Sequence, residues 1–208
     1  MYIRTLYLLR HGETDSNKAR ILANKAKEGL NEQGRNQAMA VAECLKEVPL
    51  DIIYTSPQAK AIETARVISN TVNVRLGIRS ELVERDYGPY EGMSREQLIE
   101  KRRTDGLCID DPTQDWYGVT DVESDESVWR RVRPLLEASY NDKDILLVTH
   151  AGVVKSVLHS IFEIPHHKRN CFKIRNGTLI VLKNVHGQLE LNELIPTTFL
   201  APGVQELK

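Results

Sequence analysis

Cysteine is scarce in this chain of 208 residues. Cys44, Cys108 and Cys171 are odd in number and far apart, which argues against a disulfide framework or a zinc ribbon. A reducing, cytoplasmic setting is expected from that usage. No stretch approaches the ~18 consecutive apolar residues of a membrane span. The start, Met1-Tyr2-Ile3-Arg4, lacks the apolar run of a signal peptide, so no membrane partner is expected. An excess of charge is missing too. Lys and Arg number 28 against 29 Asp and Glu, a net charge of −1, so no global field draws the chain to nucleic acid. No basic stripe with interleaved aromatics appears either. Any anion site must therefore be a local cluster of cations. Neither an H-E-x-x-H pattern nor a Cys/His cluster is present, and no metal or cofactor is expected. Internal repeats and low-complexity segments are also absent.

The remaining composition, 41% apolar and 27% charged, is that of a globular protein with one well-buried core. Strand and helix patterns alternate along it. Residues 5 to 9 read as a buried strand, and residues 15 to 30 as a short helix and a loop. Asn31 caps a helix whose stripe is Ala38, Val41, Ala42 and Leu45, ended by Pro49. Asp51 to Tyr54 is a short strand. Ser56 is expected to cap the next helix, with Pro57 at its first position, running to about residue 71. Residues 74 to 83 read as a strand or extended segment.

A glycine-punctuated loop follows at 84 to 92, and Ser94 caps a helix to about Lys101. Residues 103 to 123 are polar and irregular, the kind of stretch that serves as a lid. A helix over about 125 to 140 should kink or restart at Pro134. Asp144 to Thr149 is a buried strand that leads into a helix from Val153 to Ile161. Phe172 to Arg175 and Thr178 to Val185 then read as a hairpin around Asn176-Gly177, with a third strand at 188 to 195. The pattern implies an α/β fold: a three-layer α/β/α sandwich around a mainly parallel sheet with antiparallel edge strands. One domain spans 1–208, with a cap-like insertion at about 93–123 and a tail at about 196–208. An exposed edge hairpin is compatible with either a monomer or a homodimer.

The chemistry gathers at strand ends. Leu6 to Leu9 runs straight into Arg10-His11-Gly12-Glu13-Thr14, at the sheet edge where open α/β sheets bind ligands. Gly12 is expected to turn the backbone tightly and let an anion approach. A helix beginning near Thr14 or Asp15 would favour negative charge at its N-terminus. His150-Ala151-Gly152 ends a later strand in the same way.

These segments resemble the histidine phosphatase superfamily, also called the phosphoglycerate mutase-like family. The likeness covers roughly residues 5 to 185. It rests on Arg10 to Thr14 with Asn17, Leu30 to Gly34 with Gln37-Ala38, and Ser56-Pro57 with Ala61 and Thr64-Ala65. Glu84 with Gly88 and Glu91-Gly92, and Val148 to Gly152, complete it. The resemblance implies that His11 is a nucleophile that becomes phosphohistidine, and that Glu84 is proton donor and later base. It implies that Arg10, His150 and the position held by Lys60 bind the phosphoryl oxygens, with Asn17 and Ala151 assisting. It also implies a small phosphorylated substrate and a metal-independent phosphomonoesterase. Phosphoglycerate mutase is the alternative, and a phospho-ligand binding module with weak turnover a second one.

Physical chemistry supports these roles on its own terms. A phosphoryl transition state is loose and anionic, so fixed positive charge and positioning carry the catalysis. Arg10 offers a planar fork for two oxygens. Neighbouring cations keep His11 neutral and nucleophilic. The family usually has arginine where this chain has Lys60, which keeps the charge and loses the fork. Lys60 pairing with Glu63 on its own helix is the plainer reading of that residue. Thr14, Tyr87, Arg102, Arg103, Trp116 and Tyr117 are candidates to line the substrate pocket. His166, His167, Lys168 and Arg169 read as a solvated basic loop.

Overall fold

The structure, a computed structural model, describes residues 3–23, 27–106, 116, 119–138, 140, 142–165 and 171–197. Tyr117, Cys108, the basic loop at 166 to 169, and nearly all of the expected tail lie outside these residues.

Six strands form one sheet: β1 (Ile3–Arg10), β2 (Ile52–Thr55), β3 (Leu76–Ile78), β4 (Lys143–Thr149), β5 (Leu179–Val185) and β6 (Gln188–Ile195). Their order is β3-β2-β4-β1-β5-β6. The first four are parallel, and β5 and β6 add antiparallel at one edge. The expected mixed sheet is therefore observed.

Side-chain alternation along each strand builds two cores. Leu6 and Leu8 of β1, Ile145 and Leu147 of β4, and Ile180 and Leu182 of β5 face one side. There they meet Val128 and Val132 of α5 (Asp125–Glu137) and Val153, Val154 and Val157 of α6 (Ala151–Ile161). Tyr7, Leu9, Leu146, Val148, Leu179 and Val181 face the other side, against α2 (Glu32–Cys44) and α3 (Ala59–Val72). Period-two strands between two helical layers give the three-layer sandwich. Two short helices remain, α1 (Asp15–Lys18) and α4 (Arg95–Thr104). A third, smaller apolar cluster unites Tyr87, Tyr90, Leu98, Trp116, Val119 and Val122 beside α4. That cluster packs apart from the two cores of the sheet.

Several local expectations change. Ser56 does not cap α3. Gln58 is its N-cap, with no side-chain cap hydrogen bond, and the Ser56 hydroxyl accepts from Gln58 N at 3.3 Å. The Asn176-Gly177 turn joins no hairpin, because residues 172 to 175 form no strand. The hairpin is β5–β6, turned by His186 and Gly187, both at positive φ. Two central residues at φ > 0 are what a two-residue turn matching the strand twist requires. The extended segment after residue 74 shortens to β3 and a 3-10 turn at Ser80–Leu82. Pro134 lies within α5, which continues past it to Glu137, so the helix does not restart there.

Candidate active site

The carboxyl ends of β1, β2 and β4 share one edge, because Arg10 pairs with Thr149 and Thr55 with Val148. Two backbone bonds extend this edge beyond the strands: His11 N donates to Thr149 O at 2.9 Å, and Ser56 N to Val148 O at 3.0 Å. His11, Ser56 and His150 are thereby brought together from distant parts of the chain. A cleft of about 700 Å³ opens at this edge, lined by Arg10, His11, Asn17, Lys60, Glu84, Tyr87 and Ala151, among others, with Ser56 and His150 buried behind that lining.

Gly12 earns its place by packing. A Cβ there would lie 2.4 Å from Gly34 O, and one on Gly34 would lie 2.1 Å from Glu13 O. The two glycines let the 11–13 loop sit directly on the first turn of α2. The missing side chain faces Gly34 and not an incoming anion, which corrects the expectation for Gly12. Thr64 of α3 fixes the loop from another side, accepting from Gly12 N at 3.1 Å while donating to Lys60 O at 2.8 Å. The short helix α1 has its own cap, Thr14, and an acid, Asp15, in its first turn. It offers no anion site of the kind expected there.

His11 is 2% exposed, and its Nδ1 lies 2.7 Å from Gly12 O. A carbonyl only accepts, so Nδ1 carries the proton and Nε2 keeps its lone pair. Burial, then the charges of Arg10 and Lys60, hold this imidazole well below its ordinary pKa. The ring of His150 meets it edge to face, with centroids 5.0 Å apart. His150 is fully buried and also held well below the ordinary value, by burial first and then by His11, Lys60 and Arg10. Its Nε2 lies 2.8 Å from Ser56 Oγ, while its Nδ1 is buried without a partner. Ser56 thus supports His150 instead of capping α3, a role that the sequence disguised because Ser-Pro so often opens a helix.

The cations are held from behind. Arg10 Nη1 donates to Ile174 O at 2.8 Å, and Arg10 Nε is buried without a partner. Lys60 is 3% exposed and donates to Ala23 O at 2.7 Å. It does not pair with Glu63, which accepts from Leu30 N instead. Desolvation lowers the Lys60 pKa, against the opposing pull of Glu84 and Glu28. Asn176 donates to Asn17 Oδ1 at 2.8 Å and reaches toward His11 O and Gly12 O at 3.2 and 3.3 Å. Fixing that oxygen leaves the Asn17 amide as a donor on the cleft wall. Asn176 was legible only as a turn residue.

Glu84 is 9% exposed, in the loop after the 3-10 turn. It accepts from Arg85 N at 2.8 Å and from Gly152 N at 3.3 Å. Arg85 is itself buried against Asp125 and Ser156, tying this loop to α5 and α6. Tyr87 lines the cleft with its hydroxyl pushed far up by burial and by Glu84, so it stays protonated.

Other pocket candidates lie elsewhere. Thr14 is fully buried as the cap of α1. Arg102 is buried over the Trp116 ring, 5.3 Å from its centroid, and Trp116 packs against Tyr87 and Tyr90. Arg103 is on the exposed face of α4, paired with Glu100. The cleft draws instead on Arg20, Arg95, Lys155, Lys173 and Arg175. No motif marked these, since each is a single cation in unpatterned sequence. Among the described residues, no group of three or more His, Cys, Asp or Glu is placed to hold a metal ion.

The profile of the histidine phosphatase superfamily (branch 1) matches residues 6–195. The chain is 31% identical over 157 residues to the uncharacterized phosphatase PhoE of Bacillus subtilis, covering 74% of this chain and 75% of that one. It is 28% identical over 177 residues to an adenosylcobalamin/alpha-ribazole phosphatase of Salmonella typhimurium, covering 83% and 86%. Among solved structures, Bacillus stearothermophilus YhfR superposes with a TM-score of 0.78 at 26% identity, over 90% of this chain and 95% of that one. Strand-end residues separated by more than a hundred positions thus meet in one cleft, on a fold and a sequence profile that agree: the chain belongs to the histidine phosphatase superfamily, branch 1, and is a phosphatase of that family.

Proposed function

We propose that the chain is a metal-independent phosphomonoesterase that hydrolyses a small phosphorylated metabolite through a phosphohistidine on His11. One observation carries the reading: the hydrogen bond from His11 Nδ1 to Gly12 O leaves Nε2 unprotonated beside two cations. In the first step Nε2 attacks phosphorus and the ester P–O bond breaks. The phosphoryl oxygens bear the developing charge, and Arg10 Nε, Lys60, the Asn17 amide and His150 Nδ1 are the donors on hand to meet it. The leaving alkoxide takes a proton from Glu84. In the second step water gives its proton back to Glu84 and its oxygen to phosphorus. Inorganic phosphate leaves, and His11 regains the lone pair on Nε2.

Two features support Glu84 in this role. It lines the same cleft as His11, and the backbone N–H groups of Arg85 and Gly152 hold its carboxylate in place.

A screen of purified protein against phosphorylated sugars, glycerates, amino acids and nucleotides, without added metal and with His11→Ala alongside, tests the reading. Steady release of phosphate that is lost in the variant supports it. Phosphate moved to a second hydroxyl in place of water would turn the assignment to a mutase. Binding without turnover would turn it to a binding module.

A further inference from the structure

Residues 174–178 lie just before β5, and Asn176 among them is 165 positions from His11 in the chain. The segment nonetheless grips the carboxyl end of β1. Ile174 O accepts from Arg10 Nη1 at 2.8 Å, and Gly177 N donates to Arg10 O and His11 O at 3.1 and 3.2 Å. It is a closed turn: Thr178 N donates to Arg175 O at 3.1 Å, and Gly177 takes φ +70°, which glycine adopts without strain. Thr197, just past β6, ties the turn from outside by donating to Asn176 O at 3.1 Å. Asn176 is thereby held in one place beside the site.

What surrounds that side chain decides which way round its amide lies. Asn176 Nδ2 is 3.2 Å from His11 O and 3.3 Å from Gly12 O. Both are carbonyls, which only accept, so the group facing them is the NH2 and not the oxygen. The same nitrogen is 2.8 Å from the side chain of Asn17, which must then present its own oxygen to it. One amide hydrogen serves Asn17, and the other is left for the two carbonyls. The α1 cap acts on the backbone of Asn17, where Thr14 Oγ1 accepts from the N–H at 3.3 Å, and selects neither end of its amide. The choice matters, because the two ends carry opposite partial charges. With Oδ1 held by Asn176, the Asn17 NH2 is the end left for the cleft. Turned over, a lone pair would meet the phosphoryl oxygens.

We propose that Asn176 is a positioning residue of the reaction, which through Asn17 keeps an amide donor, and not an oxygen, turned to the phosphoryl group on its way to His11. The inference rests on the phosphohistidine reading above and extends it beyond the groups that meet the phosphate. Both hydrogens of the Asn176 amide are committed, to Asn17 and to the two carbonyls, so it acts through Asn17 and not on the substrate.

A double-mutant cycle tests this. kcat/KM on one hydrolysed ester is measured for the wild type, Asn176→Ala, Asn17→Ala and the double variant, with inorganic phosphate as a competitive inhibitor of each. Asn17→Ala should lower kcat/KM by about tenfold or more, the worth of one hydrogen bond to a charged group. Asn176→Ala should approach that loss, and inorganic phosphate should inhibit it correspondingly more weakly. In the Asn17→Ala background the same change should alter kcat/KM by less than about twofold, because the group that Asn176 orients is gone. A residue that only supports the fold, or only the His11 loop, would slow both backgrounds alike. Asn176→Ser, whose hydroxyl can bond within the turn but falls short of Asn17, makes the same test should alanine lower the urea midpoint. Equal losses in the two backgrounds, no loss in the first, or full activity in Asn17→Ala would overturn the positioning role while the phosphatase reading stands. Failure to hydrolyse any ester would overturn that reading, and this inference with it.

Discussion

The imidazoles of His11 and His150 stand edge to face, their centroids 5.0 Å apart and their planes at 61°. Both are buried, and both are held in the neutral form by burial and by the cations around them. Two groups that resist protonation make the fold itself sensitive to acid. The folded pKa values lie well below the ordinary 6.5, so between them and 6.5 the unfolded chain binds protons that the native chain does not. The contribution of this pair to stability is therefore complete above pH 6.5 and is lost as the pH falls through that window. Urea midpoints measured at pH 7.5 and 5.5 should drop for the wild type. For His150→Asn the drop should be smaller, because one titrating group is gone. An unchanged pH dependence would show that His150 is not buried in neutral form.

Lys60→Met removes the charge while keeping most of the buried stem. Losing one hydrogen bond to a charged oxygen in the transition state should lower kcat/KM by about 10- to 150-fold. The urea midpoint should hold or rise, since a desolvated ammonium is replaced by an apolar group. Steady-state kinetics beside urea denaturation separates the two effects. Equal activity in variant and wild type would place Lys60 outside the reaction.

Gly152→Ala aims at Glu84 without touching it. A Cβ at residue 152 would fall 2.4 Å from Glu84 Oε1, so the carboxylate must shift. Displacing a general acid costs more as the leaving group grows more basic. The variant should lose about 10²- to 10⁴-fold in kcat on alkyl phosphates and much less on p-nitrophenyl phosphate. Glu84→Gln should follow the same pattern. Equal losses on both leaving groups would show that Glu84 does not supply the proton.

Asp125→Ala takes away the carboxylate that faces Arg85 in a buried setting where Ser156 donates to the same oxygen at 2.8 Å. Removing one partner of a buried pair strands the other, at a cost of about 3–5 kcal/mol. Urea unfolding should show the loss. Because Arg85 N holds Glu84, kcat should fall as well in whatever fraction stays folded.

The sequence made the sheet and the reacting centre readable for a common reason. Leu6 to Leu9 and Ile145 to Val148 are buried on both faces, and such strands show as unbroken apolar runs. Polar residues that interrupt those runs must then stand at the strand ends, as Arg10, His11 and His150 do. What stayed hidden depends on contacts between distant segments. Nothing local tells that Ser56 supports His150, that Asn176 orients Asn17, or that Gly12 and Gly34 pack back to back. The same holds for Arg102 and Arg103. As neighbours on one helix they looked alike, yet one is buried over Trp116 and the other pairs with Glu100 in solvent.

The most direct test of the mechanism is a rapid acid-free quench of the protein during turnover of a phosphate-labelled ester, followed by peptide mapping. Label that is acid-labile, alkali-stable and confined to the peptide containing His11, and missing from His11→Asn, is the expected result. Steady turnover with no trapped label, label on another residue, or hydrolysis that persists in His11→Asn would contradict the phosphohistidine route.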